Sequence, residues 1–139
     1  MIYDTSVKNP KTKEAIENAV GKPASLWERI KSGGTGCRRM TVKECSPDIW
    51  KLIETHPGTH FSSMEIRPKG IIVFFKNNLT SYSWPIPFYR LSLYKSDTFS
   101  IHGEGSFVKY KMDSNFDANM KFIEKVKALK LPFQEHLEY

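Results

Sequence analysis

Hydrophobic and polar positions divide the chain into three regimes. Residues 1–58 show helical spacing interrupted by glycines, residues 59–112 alternate with a period of two, and residues 113–131 return to helical spacing. In the first regime, Asn9 before Pro10 predicts a helix start, because proline at the first helical position removes an N–H that would be unpaired anyway. Ile16, Ala19 and Val20 form its apolar stripe, and Gly21 interrupts it. Pro23 is expected to open a second helical piece, with Leu26, Trp27 and Ile30 on one face and Gly33 as its left-handed cap. Residues 32–36 then read as a loop, and Arg38 to Glu44 as a short strand with Met40 and Val42 alternating. A further helix is expected from a Ser46 cap and Pro47, with Ile49, Trp50 and Ile53 buried, ending by His56 because Pro57-Gly58 cannot continue it.

The middle regime predicts about six strands joined by turns. Phe61 to Arg67 alternates, with Met64 and Ile66 on one side; Pro68-Lys69-Gly70 turns the chain; Ile71 to Phe75 has the β-branched and aromatic composition of a buried strand. After Lys76-Asn77-Asn78, Leu79 to Trp84 is a strand, and Pro85 and Pro87 mark an edge or a bend because they cannot donate ladder bonds. Phe88 to Tyr94 reads as a strand with Tyr89, Leu91 and Leu93 together. Ser96-Asp97 and Gly103-Glu104-Gly105 are turns around a strand carrying Phe99 and Ile101, and Ser106 to Met112 places Val108, Tyr110 and Met112 on one face. Gaps this short permit only antiparallel neighbours, which predicts a meander curled into a barrel or paired sheets. The last helix is expected from Ser114 with Asp117 as a capping-box-like pair. Phe116, Met120, Ile123 and Val126 line its apolar face, Phe122 and Leu129 widen it, and Pro132 ends it. Such a helix, following a curled sheet, is expected to cover the sheet's open end.

The pattern therefore predicts a single α+β domain over residues 1–139, with a helical segment at 1–58 and strands plus the last helix at 59–131. The length of 139 residues suits one domain. The longest clean apolar run, Ile71 to Phe75, is far short of the roughly 20 residues a membrane-spanning helix needs. Met1-Ile2-Tyr3-Asp4 lacks the basic start and apolar stretch of a signal peptide. A cytoplasmic location with Cys37 and Cys45 as free thiols is the expectation. The net charge of +6 favours anionic partners: a small anion, an acidic protein or an acidic membrane surface.

Order and spacing carry a resemblance. Gly70-Ile71-Ile72-Val73-Phe74-Phe75, then Pro85-Ile86-Pro87-Phe88-Tyr89-Arg90-Leu91-Ser92-Leu93, then Thr98-Phe99-Ser100-Ile101, with the amphipathic helix after them, resemble the bacterial members of the pleckstrin-homology-like superfold. The match covers about residues 60–131. The resemblance implies a curled sheet capped by the last helix, and a role as a binding module for phosphoinositides or proteins. It implies seven strands, one more than the middle regime supplies unless residues 38–44 contribute it.

Candidate chemistry is sparse. Cys37, Cys45, His56 and His60 lie close in sequence, but the cysteines are too far apart for a tight zinc knuckle and Pro57-Gly58 breaks any helix that would align the histidines. A Cys/His nucleophilic pair drawn from these residues or His102 defines an alternative, enzymatic reading. Gly33-Gly34-Thr35-Gly36 lacks the preceding strand and the lysine of a phosphate loop, although Arg38-Arg39 behind it could hold a phosphate. The sequence assigns no catalytic residue, metal or cofactor. The most usable feature is a basic patch on the sheet: Arg90, Lys109 and Lys111 alternating outward, with Lys69, Lys76 and Lys95 in the turns. Stacking of strand aromatics on nucleic acid bases is the weaker reading for Phe74, Tyr82 and Phe107, which suit cross-strand packing. Meander edges also leave self-association open.

Overall fold

Two antiparallel meanders share one strand. A computed structural model describes residues 1–25 and 34–134. Its strands are β1 (Tyr3–Asp4), β2 (Met40–Cys45), β3 (Phe61–Arg67), β4 (Gly70–Asn77), β5 (Thr80–Pro87), β6 (Ser92–Lys95), β7 (Thr98–Gly103) and β8 (Ser106–Lys111). They form an eight-stranded sheet in the order β1-β5-β4-β3-β2-β8-β7-β6, every pairing antiparallel. The helices are α1 (Pro10–Val20), α2 (Pro47–Ile53), α3 (Ser114–Ala118) and α4 (Met120–Gln134), with a 3₁₀ turn at Phe88–Arg90. The helical piece expected after Pro23 lies outside the described residues.

Strand β2 hands the chain from one half of the sheet to the other. Met40 and Thr41 pair with β3, the register shifts between Val42 and Glu44, and Val42, Glu44 and Cys45 pair with β8. A bulge increases local twist and bends the strand, so the inner faces of both halves enclose one core. Met64, Ile71, Val73, Phe75, Trp84 and Ile86 come from one half and Phe99, Ile101, Val108 and Tyr110 from the other. The sheet does not close. Helix α4 covers the gap, its Ile123 and Val126 set against Met64, Ile71, Leu93, Phe99 and Ile101 with no room for water between them. Burying each such aliphatic side chain contributes roughly 1.5–3 kcal/mol before entropy is subtracted.

The alternating pattern located β3, β4, β7 and β8 well, and four expectations need correction. Phe88 to Arg90 is a 3₁₀ turn, not strand, and the ladder begins only at Ser92. Pro87 fixes φ at −60° ahead of it, and Phe88 and Leu91, three apart, are buried while Tyr89 faces solvent. A 3₁₀ turn aligns residues at i and i+3. Trp50 is 44% exposed, because the short α2 buries only Ile49 and Ile53. Ser46 occupies the N-cap position of α2 as expected, but its hydroxyl makes no capping bond; it bridges to β8, donating to the Phe107 carbonyl at 3.3 Å and accepting the Phe107 amide at 3.1 Å. Pro132 does not stop the last helix, which runs on to Gln134. The backbone bond a helical proline forfeits is offset by Phe133, whose ring meets Phe88 at 5.4 Å.

The start of that last helix also differs. Asp113, not Ser114, is the cap, accepting from the Asn115 and Phe116 amides. The helix is then broken at Asn119, whose side chain is buried and turned onto the backbone ahead of β2. Asn119 Oδ1 accepts the Arg38 amide at 3.0 Å, and Nδ2 donates to the carbonyls of Arg38 at 2.9 Å and Asn115 at 3.1 Å.

On the outer face of β4, α1 packs through Ile16 and Val20 against Ile72, with Tyr3, Ala19 and Phe74 around them. Gly70 makes this approach possible, since a Cβ there would collide with the Ile86 carbonyl, Val20 Cγ1 and Pro87 Cα. Asn9 caps α1 as expected, its side chain accepting the Lys11 amide at 3.0 Å. Prolines 85 and 87 lie on β5 opposite Ile72 and Gly70, beyond the two residues that β1 covers, and both are buried where α1 packs against β5. The Gly103–Gly105 turn has Glu104 and Gly105 both at positive φ, 52° and 85°, the geometry of a tight hairpin connection.

Candidate functional site

The six basic residues read from the sequence do not gather at one place. Lys69 sits in the β3–β4 turn, where its carbonyl accepts the Phe88 amide at 2.8 Å, which puts it beside the 3₁₀ turn that carries Arg90. Arg90 lies 3.7 Å from Glu104 and over the Tyr89 ring. Lys109 is 3.3 Å from Glu44, with its ammonium 5.6 Å from the Phe107 ring. Lys95 and Lys111 end β6 and β8 on either side of Phe99 and Thr98, and Lys95 reaches over the Phe116 ring. Lys76 stands apart, at the end of β4 beside the β4–β5 turn.

Lys76 is the member that borders a depression. About 470 Å³ in volume, it is lined by Arg39, His56, Phe61, Lys76 and Asn78, together with the Ser62, Ser63 and Ser81 positions and the rings of Phe74 and Phe75. Strand pairing explains the assembly. Ser63 pairs with Phe74 and Lys76 with Ser81, so the outward side chains of β3, β4 and β5 meet at this end of the sheet. Arg39 precedes β2, whose Thr41 pairs with Phe61, and its guanidinium lies 4.1 Å from the centre of the Phe61 ring. The ring orients the guanidinium and leaves its N–H edges to solvent or ligand. No carboxylate lines the depression. Among the described residues neither Arg39 nor Lys76 forms an ion pair.

Two buried polar atoms in this corner have no hydrogen-bond partner: His56 Nδ1 and Asn77 Oδ1. Asn77 is held by its other amide atom, Nδ2 donating to the Leu52 carbonyl at 3.0 Å and to Thr55 Oγ1 at 2.7 Å, which ties the β4–β5 turn to α2. His56 stacks obliquely against His60, ring centres 5.7 Å apart, and His60 in turn meets Trp50 at 5.2 Å and the Ile53 carbonyl through Nε2 at 2.9 Å. No family model, curated protein or solved structure matches the chain. The site is therefore read from its own atoms.

The cysteines are placed elsewhere. Cys37 Sγ accepts the Met64 amide at 3.2 Å, and burial pushes its thiol up to about 11. Burial, together with the nearby Asp48 and Glu44 carboxylates, pushes Cys45 up to about 11 as well. Both are protonated at neutral pH, whereas a nucleophilic or metal-binding cysteine must be a thiolate. No thiol–imidazole hydrogen bond occurs among the described residues, and no group of three or more His, Cys, Asp or Glu is arranged to hold a metal ion among them. Among the described residues no helix is long and apolar enough to cross a membrane.

The sequence pointed to Lys76 and, separately, to the Arg38-Arg39 pair, but not to their meeting. The usable signal was Arg39 preceding a strand that starts with inward Met40.

Proposed function

We propose that the chain is a non-catalytic binding module of the pleckstrin-homology-like kind, and that it takes an anionic group at the Arg39–Lys76 corner. One observation carries the ligand class: two cations without carboxylate partners flank a depression that no acidic residue lines. Hydrogen bonds from ionised donors to a phosphate or carboxylate are the strong, short kind. The His56 ring and the hydroxyls of Ser63 and Ser81 add further polar groups around them. What supports the fold part of the reading is strand β2, the seventh strand that the resemblance requires. With it, β2 to β5 and β6 to β8 form two consecutive meanders followed by a covering helix. Strand β1 and helix α1 are additions to that plan.

Ethyl phosphate titrated into the isotopically labelled chain tests the reading. Amide shifts should concentrate at Arg39, Lys76 and the β4–β5 turn, and Arg39→Glu with Lys76→Glu should weaken binding at least tenfold. Sedimentation with phosphatidylcholine vesicles, with and without phosphatidylserine, reports whether the anion can be presented by a membrane. Shifts scattered over all surface lysines, or binding indifferent to both substitutions, would refute the assignment.

A further inference from the structure

A second depression, about 630 Å³, adjoins the first on the same outer face of the sheet. Its floor is apolar: Ile16 of α1 with Ile72 and Phe74 of β4. The cause lies in the stripe of α1. Ile16 and Val20 bury themselves on the sheet one turn apart. Thr12 occupies the position where a third apolar residue would continue the i, i+4 row. The helix therefore loses its grip on the sheet one turn early, and the cleft opens between Thr12, the arm at residues 5–9 and the half-buried Phe74. Lys8, Lys13 and Arg67 also line it, Arg67 being paired with Glu65 at 2.6 Å, and Glu17 is the one carboxylate of the lining.

Phe74 lines both depressions. Ile72, Phe74 and Lys76 alternate on one face of β4, so the apolar floor, the shared ring and the cation follow one another along a single strand. The four residues of rise from Ile72 to Lys76 cover about 13 Å. We infer that the two depressions take one ligand: an amphipathic anion whose charged head meets Arg39 and Lys76 and whose alkyl tail passes Phe74 into the cleft under α1. This rests on the anion reading above and narrows it to a single-chain amphiphile bound as a monomer. The head end carries two cations and no carboxylate, while the tail end has a hydrocarbon floor with its cations at the sides. Sites of a few hundred cubic ångströms with apolar walls and a few convergent polar groups are of the size that holds such molecules.

Calorimetric titration of the full chain with ethyl phosphate and with decyl phosphate, kept below micelle-forming concentration, tests this. Decyl phosphate should bind at least thirtyfold more tightly. Thr12→Trp, which fills the cleft, should erase that advantage and leave ethyl phosphate binding unchanged, so the ethyl arm also reports that the variant is folded. Thr12→Glu, which adds charge to the cleft without comparable bulk, should do the same. Lys76→Glu should weaken both ligands. Equal affinities for the two phosphates, with binding still dependent on Lys76, would overturn the amphiphile inference and leave the anion reading standing. A chain-length preference that survives both Thr12 variants would also overturn it. Failure of both phosphates to bind would overturn the two together.

Discussion

Asn119 joins the last two helices to the strand shared by both sheet halves, and removing its side chain should be costly. Its amide makes three hydrogen bonds in a buried setting: with the amide and the carbonyl of Arg38 and with the carbonyl of Asn115. Asn119→Ala deletes all three and leaves the Arg38 backbone groups without those partners. At about 0.5–1.5 kcal/mol net per bond, the loss is about 2–4 kcal/mol. Alanine is the better helix former, which returns about 0.5 kcal/mol if α3 and α4 straighten into one another. Urea unfolding followed by far-ultraviolet circular dichroism, with the slope unchanged, should therefore show a loss of about 2–3 kcal/mol. Asn119→Asp sharpens the test. It keeps the acceptor for the Arg38 amide but turns a second oxygen toward two carbonyls, so at neutral pH it should be at least as damaging as alanine. A loss under about 1 kcal/mol for alanine, or an aspartate variant that is clearly milder, would show that these bonds do not hold the joint.

Two further outcomes follow from the packing and the thiols. Gly70→Ala places a methyl group into the Ile86 carbonyl and Val20, both fixed by their neighbours, and should lower the thermal midpoint severely or yield insoluble chain; a near-native midpoint would refute the close approach described between α1 and the β4–β5 ladder. Burial raises the Cys37 and Cys45 thiols from 9.0 to about 11, so the folded state favours the neutral forms. The stability this supplies is present below about pH 9 and is lost as pH rises through about 11. The Cys37→Ala, Cys45→Ala double variant should therefore lose less stability than the parent over that window, and parallel curves would contradict the assignment.

Local rules found most of the fold. A strand such as β3 shows itself because its period of two matches a face that is buried residue by residue, Ser62, Met64 and Ile66 inward. The start of α1 shows itself because a cap and a proline act over only three or four residues. Failures came where the deciding contact was distant in the chain. Phe88 to Arg90 alternates like a strand, but the turn is set by Pro87 and by two side chains the core demands at a spacing of three. The end of α4 depends on Phe133 finding Phe88, and Ser46 abandons capping for a partner on β8. The basic corner was illegible for the same reason. Arg39 and Lys76 line one depression only because β3 lies between their strands, and Lys109, which alternates outward plainly, turns out to have Glu44 beside it.

The two margins of the sheet are unlike, and this limits how copies of the chain can join. One margin ends in a two-residue β1 and, beyond it, in Pro85 and Pro87, which are buried where α1 packs against β5, so an incoming strand finds no open ladder there. The other is β6, paired only with β7, with Tyr94 59% exposed. A molecule with one receptive margin can meet a twin margin to margin, and both are then used up. Growth stops at a pair, because the opposite margin is already covered by the chain's own first helix.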